Sequence, residues 1–145
     1  SPFESWLLLR GLKTLALRVE RQSNSAAKIA RFLHQRSEIT EVFYPEVGAV
    51  ISFTTGDEKL SCDIVEATRL FKVAVSFGSV GSTISLPCRM SHASIPSALR
   101  ARLAPPADLV RLSVGIEDPD DLIEDLEYAF YNARHDSLVS TGQQL

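Results

Sequence analysis

Cysteine, histidine and methionine are scarce in this 145-residue chain, which holds two Cys, three His and one Met. Cys62 and Cys88 stand at no recognisable metal-ligand spacing from the isolated His34, His92 and His135, so no metal site is expected. Two cysteines are also too few for a secreted disulfide scaffold. A basic excess is missing: fifteen Lys plus Arg face eighteen Asp plus Glu, giving a net charge of −3 with the signs interspersed. Without a cationic stripe to hold a phosphate backbone, nucleic acid is not an expected partner. Apolar runs are short. Trp6 to Leu9 falls far below the ~20 residues that span a bilayer, so the chain is expected to be soluble, with no membrane partner. There is no phosphate loop of the form GxxxxGK[ST] and no nucleophile beside its base.

What is present suffices for a core. The chain is 45% apolar, and at this length a fold buries roughly 68 to 70% of the surface its unfolded form exposes. One domain over 1–134 is expected, followed by a polar, disordered tail over 135–145. Ser1-Pro2-Phe3-Glu4 reads as a cap, a proline at the first helical position and a carboxylate in the first turn, so a long helix should start there and end near His34. Its first half, Trp6 to Val19, is apolar on nearly every face, which suits burial on several sides. A chain that opens on Ser1 and enters a helix at once reads as a fragment, with one side of that helix facing a missing partner.

The rest alternates strand and helix signals. Glu41 to Tyr44 and Ala49 to Thr54 flank the turn-prone Pro45-Glu46-Val47-Gly48 and predict a hairpin. Leu60 to Leu70 predicts a short amphipathic helix, and Phe71 to Phe77 a strand with Phe71, Val73, Val75 and Phe77 on one face. A loop is expected from Gly78, a short helix from Ser94 to Arg102 stopped by Pro105-Pro106, and a strand over Leu109 to Val114. Asp118-Pro119-Asp120-Asp121 then caps a helix whose Leu122, Ile123, Leu126, Ala129 and Phe130 recur at helical spacing. The sum is an α+β fold with about four strands, mainly antiparallel, and helices on one face.

Few residues stand out chemically. Val110, Leu112 and Val114 share one face of their strand, so Arg111 and Ser113 point the other way. Arg111 could present a guanidinium fork to a carboxylate. A solvated arginine on the open face of an antiparallel sheet fits the same pattern, and pattern alone favours that reading. Ser76-Phe77-Gly78 ends a strand where backbone amides or a hydroxyl could approach a ligand, and turn chemistry explains it equally well. His92 lacks a neighbouring acid or cysteine and reads as structural. Asp118, Asp120 and Asp121 belong to the helix cap.

Ser1 to Leu17 (SPFESWLLLRGLKTLAL), Val75 to Ile95 (VSFGSVGSTISLPCRMSHASI) and Leu109 to Leu126 (LVRLSVGIEDPDDLIEDL) together resemble the C-terminal domain of the Cys/Met-metabolism family of pyridoxal-phosphate (PLP) enzymes. Within that family, Ala74 to Val80 and Pro87 to Pro96 are most similar to the plant-type cystathionine β-lyases. The resemblance implies the small domain of a fold-type I PLP enzyme, joined by a long helix over 1–34 to a larger cofactor domain. It implies that Arg111 binds the α-carboxylate of a cystathionine-like amino-acid substrate, with Ser76 in the same pocket and Phe77 forming its wall. It implies a carbon–sulfur lyase of trans-sulfuration and methionine biosynthesis, PLP as cofactor, and a cytoplasmic location, or a plastid one for a plant-type protein. Its partner would be the missing PLP domain or a second copy.

Lys13, Lys28, Lys59 and Lys72 all lie in segments resembling the small domain, outside the family's Schiff-base lysine motif. No catalytic and no cofactor-binding residue is therefore assigned, and the chain alone is expected to be inactive. Two departures mark the sequence. Glu46-Val47 leads straight into Gly48-Ala49 where the family has a longer stretch, which leaves open a shortened hairpin or the trace of a mispredicted exon. Pro105-Pro106 replaces a turn that usually contains glycine. Two rival functions remain: a non-catalytic module that self-associates through Trp6 to Leu17, and an amino-acid-binding module using Arg111.

Overall fold

A computed structural model of the chain describes residues 1–96, 99 and 102–141, with side chains described as far as residue 135. In chain order the elements are α1 (Pro2–Leu12), α2 (Leu15–His34), β1 (Glu41–Phe43), β2 (Val50–Thr54), α3 (Glu58–Ala67), β3 (Lys72–Val73), β4 (Thr83–Ser85), β5 (Val110–Ser113) and α4 (Pro119–Thr141). The expected helix over Ser94–Arg102 falls partly outside the described residues. Among those described, no helix is long and apolar enough to cross a membrane.

The strands form one sheet in the order β1-β2-β5-β4-β3, antiparallel except for the parallel pair β3–β4. This α+β architecture with a mainly antiparallel sheet matches the expectation, and among the described residues there are five strands rather than about four. Thr83–Ser85, read as loop, is the added strand. The strand expected over Phe71–Phe77 shrinks to Lys72–Val73, with one further bond from Ala74 N to Ile84 O. Parallel neighbours usually need a crossover of a dozen or more residues. Here only residues 74–82 return the chain, so the pair stays short and most of the connection is loop.

Register in the sheet centre separates two faces. Ile51, Leu112 and Ile84 lie side by side, as do Phe53 and Val110, and all five are fully buried. They pack against Ala26, Ile29 and Leu33 of α2, Ile64 and Val65 of α3, and Leu122, Leu126, Ala129 and Phe130 of α4. Phe130 sits 6.2 Å from Phe53 and 6.5 Å from Phe32, centroid to centroid. The helices that build this core thus cover one face, as expected.

The single long N-terminal helix is instead two. At Thr14 the backbone leaves helical geometry and its N–H turns to Gly11 O, while the Arg18 guanidinium donates to the same carbonyl at 2.9 Å. That carbonyl is thereby satisfied outside a regular helical ladder, which permits the break. No residue of α1 is buried. The shortened hairpin closes: Tyr44 Oη donates to Gly48 O at 3.1 Å, and Gly48 N donates to Ser23 Oγ at 3.2 Å. At the other end, α4 runs to Thr141, beyond the point where a tail was expected at His135. No Gly or Pro interrupts 120–141, and extending a helix already nucleated by packing costs little per residue.

Two buried carboxylates secure the helices. Asp125 of α4 accepts the N–H groups of Arg69, Leu70 and Phe71 at 2.8, 2.9 and 3.2 Å, fixing the turn after α3. Glu38, its side chain 4% exposed, receives Arg36 at 2.6 Å and Arg134 at 3.1 Å, tying the end of α2 to α4. Burial pushes the Glu38 carboxyl up, but the Arg36 hydrogen bond, a backbone hydrogen bond and the two guanidinium charges outweigh it and hold it below its ordinary range.

Asp125→Ala leaves three backbone donors without their acceptor and should cost about 3 kcal/mol in urea denaturation; a loss below about 1 kcal/mol would contradict this account of the turn. For Glu38, a depressed folded value means that its stabilisation is complete above the unfolded value near ~4.3 and disappears as pH falls through the folded one. Stability profiles across the acid range should therefore be flatter for Glu38→Gln than for the parent below about pH 4.5, and parallel profiles would remove Glu38 from the acid response.

Candidate active-site face

Opposite the helices, the sheet is lined by small and polar side chains. Ser52 of β2, Arg111 of β5 and Ser85 of β4 are Cα partners in one row, and Val50, Ser113 and Thr83 form the next. Arg111 is thus carried on the central strand with a serine on each side. Alternation along β5 requires this, since Val110, Leu112 and Val114 are all fully buried on the other face. The segment before the strand is anchored by the turn after β2: Asp108 accepts Thr55 N at 3.2 Å and Gly56 N at 2.8 Å, which sets the local path after Pro105-Pro106.

Because Ser85 presents only a hydroxymethyl group, the Arg111 side chain can cross β4. Its Nη2 donates to Val75 O at 2.8 Å, and its Cζ lies 5.1 Å from the centroid of the Phe77 ring. A guanidinium has five N–H donors in a planar fork. Among the described residues Arg111 has no carboxylate partner. What this half-buried cation offers is a donor edge beside an aromatic face, a geometry suited to gripping a carboxylate with two parallel hydrogen bonds.

Ser76 follows Val75 and is exposed. Its carbonyl accepts from Thr83 Oγ1 at 3.0 Å, and no protein partner for its own hydroxyl is found among the described residues. Phe77, 62% exposed, leaves the core because the chain peels off the sheet after Val73. Val73 and Val75, expected on an apolar strand face with Phe71, are exposed for the same reason, and only Phe71 enters the core. Arg111, Phe77 and the backbone around Ser76 are therefore brought together, 35 residues apart in sequence.

Gly78, at φ 81°, turns the chain in a conformation glycine adopts without strain, and its N–H donates to Ser113 Oγ at 3.1 Å. Beyond it, Glu117 accepts Ser82 N at 2.7 Å and Ser82 Oγ at 2.9 Å, and Gly115 N donates to that hydroxyl at 2.9 Å. Gln22 of α2 donates to Ser79 O at 2.7 Å. Sequence reasoning missed Gln22, Ser82 and Glu117. The available signal was Gln22 itself, a polar residue in phase with the apolar stripe Ala26, Ile29 and Leu33. Asp118 caps α4 as expected, accepting Asp120 N at 2.9 Å, and His92 engages the neighbouring Ser91 hydroxyl at 2.9 Å.

Lys28 pairs with Asp120 and Lys59 with Asp63, while Lys13 and Lys72 are exposed, at a helix end and on an edge strand. A Schiff-base lysine needs a desolvated pocket to be nucleophilic; Lys28 is half-buried and Lys13, Lys59 and Lys72 are exposed. Cys62 is buried, and burial first of all pushes its thiol up, away from the reactive thiolate.

Residues 1–131 match the family of Cys/Met metabolism PLP-dependent enzymes. The chain belongs to this family. It is 48% identical to the chloroplastic cystathionine beta-lyase of Arabidopsis thaliana, over 90% of this chain and 32% of that protein. It is also 48% identical to the cystathionine beta-lyase of Neurospora crassa, over 98% of this chain and 34% of that protein. The crystal structure of yeast cystathionine gamma-lyase superposes with a TM-score of 0.86 at 39% identity, over 92% of this chain and 39% of that one. The chain therefore spans about a third of the length of the curated relatives it matches.

Gly115 is where the loop and the turn after β5 touch: a Cβ there would collide with the Glu117 carboxylate and Val80 O. Gly115→Ala should cost on the order of 1–3 kcal/mol by overpacking and accelerate amide exchange over residues 80–82. Parent-like stability and exchange would show that the contact is not tight in solution.

Proposed function

We propose that this chain is the substrate-carboxylate-binding portion of a PLP-dependent carbon–sulfur lyase of the cystathionine β-lyase kind. The observation that carries the reading is Arg111: a guanidinium held at the centre of the sheet's polar face, steered by a carbonyl and an aromatic ring, and without a carboxylate partner among the described residues. The similarity to two cystathionine beta-lyases over nearly the whole chain favours cystathionine as the substrate. The electron sink for carbanion chemistry is the pyridoxal ring's contribution, and its attachment lysine belongs to a part of the protein outside this chain.

This chain's residues would act on the substrate rather than on the leaving group. Arg111 receives the α-carboxylate on its donor edge, the Val75 carbonyl holds the opposite side of the guanidinium, and Phe77 shields the pair from water. Fixing the carboxylate orients the Cα–H and Cβ–S bonds with respect to the rest of the active site, and orientation of this kind removes entropy from the barrier. The Ser76 hydroxyl, without a protein partner among the described residues, supplies one further donor to the same pocket. Isolated from its cofactor domain, the chain is inactive. The bare apolar face of α1 fits this reading, because it would be covered by the remainder of the protein or by a second copy.

Assayed on cystathionine in the full-length protein, Arg111→Ala should lower kcat/KM by about 30- to 5000-fold, the 2–5 kcal/mol attached to truncating a desolvated charge partner. Arg111→Lys should fall between, since a point charge cannot reproduce the fork. Unchanged kcat/KM in Arg111→Ala overturns the assignment.

A further inference from the structure

None of the side chains from Lys72 to Val80 is buried, so the segment that carries Ser76 and Phe77 is held in place by hydrogen bonds rather than by apolar packing. Most of those bonds come from the strands beside it and the turn after β5. Arg111 holds Val75 O, Thr83 holds Ser76 O, Ser113 holds Gly78 N, Ile116 N donates to Val80 O at 2.9 Å, and Glu117 holds Ser82. One tie has a different origin. Gln22 Nε2, on α2, reaches Ser79 O at 2.7 Å.

Gln22 is 6% exposed and sits in the buried stripe of α2 four, seven and eleven residues before Ala26, Ile29 and Leu33. A glutamine in that stripe forgoes apolar burial and must recover the cost of desolvating an amide. Its hydrogen bond to Ser79 does so, and lies two residues from the Phe77 ring that flanks Arg111. Helix α2 in turn follows α1, the helix that buries none of its own residues. Helix α2 thus bonds to the loop directly through Gln22, while Arg21, one residue earlier, reaches Glu117 O in the turn after β5 at 3.3 Å.

Building on the carboxylate reading above, we propose that Gln22 is a positioning residue for the amino-acid pocket. By holding Ser79 it sets Ser76 and Phe77 relative to Arg111, so the seating of α2 governs how tightly the substrate carboxylate is gripped. Gln22 does not touch substrate.

The test replaces Gln22 by a side chain of similar length without a donor. Gln22→Met keeps the stripe apolar and the fold intact, which a urea midpoint at or above the parent's would verify. Hydrogen exchange on the chain should then quicken about tenfold over residues 78–82, a local opening, with β2 and β5 amides unaltered. In the full-length protein, KM for cystathionine should rise about three- to tenfold, the net worth of one hydrogen bond, while kcat stays within about twofold. Loop exchange equal to the parent's, or a rise spread evenly over the sheet, makes Gln22 a core residue only and overturns the proposal, as does a loosened loop with unchanged KM. Arg111→Ala measured alongside separates the two ideas. If it is impaired while Gln22→Met behaves as the parent, the role of Gln22 alone is lost; if it is unimpaired, the carboxylate reading is lost with it.

Discussion

Strict alternation along β5 is the constraint on which the remaining structure rests. Val110, Leu112 and Val114 must all face the helices, because they complete a core with Ile51, Phe53, Ile84 and Phe130. A slip of one residue would expose all three and bury Arg111. The same packing that stabilises the fold therefore puts a cation on the opposite face, at the centre of the sheet, where Ser52 and Ser85 leave it room. The arginine's placement costs the fold little, since burial of its neighbours on the strand supplies the driving force.

Around that cation the molecule changes its means of support. The helix-covered face is dry and apolar, and its precision comes from packing. The opposite face is built from serines, a threonine, glycines and one glutamate, and its loop is held by directional bonds to backbone carbonyls and amides. Such bonds fix geometry well while contributing modest net stability each, which suits the proposed role of this surface in holding a substrate carboxylate. The apolar α1 and the exposed Val73, Val75 and Phe77 belong to the same outward-looking half.

Much of this was legible in the sequence, for local reasons. The β5 pattern, the Asp118-Pro119 cap of α4, the hairpin around Pro45–Gly48 and the α3 periodicity each lie within a few residues of the signal that reveals them. Arg111, Ser76 and Phe77 were singled out by strand phase and by family resemblance, and the fold brings Arg111 to the Phe77 ring and the Val75 carbonyl. Less was legible where distant segments compete. Thr83-Ile84-Ser85 has little strand signal of its own and becomes β4 because β5 and β3 offer it partners on both sides. Val73 to Phe77 alternates as a strand should, yet the short return to β4 pulls it off the sheet.

Sequence alone determined the family, through the resemblance of three separate segments, and the α+β class, through the succession of strand and helix signals; the order of apolar and polar residues along β5 determined its inward and outward faces and therefore that Arg111 escapes the core. Tertiary structure decided the mixed strand order, the break at Thr14 and the convergence of Gln22, Ser79, Ser82, Glu117 and Arg111 on one loop. The Gln22–Ser79 bond joins residues 57 apart in sequence and the Ser82–Glu117 bonds residues 35 apart. Hydrogen bonds between such distant groups leave no periodic trace in the chain, because each depends on where two independently folded elements are packed.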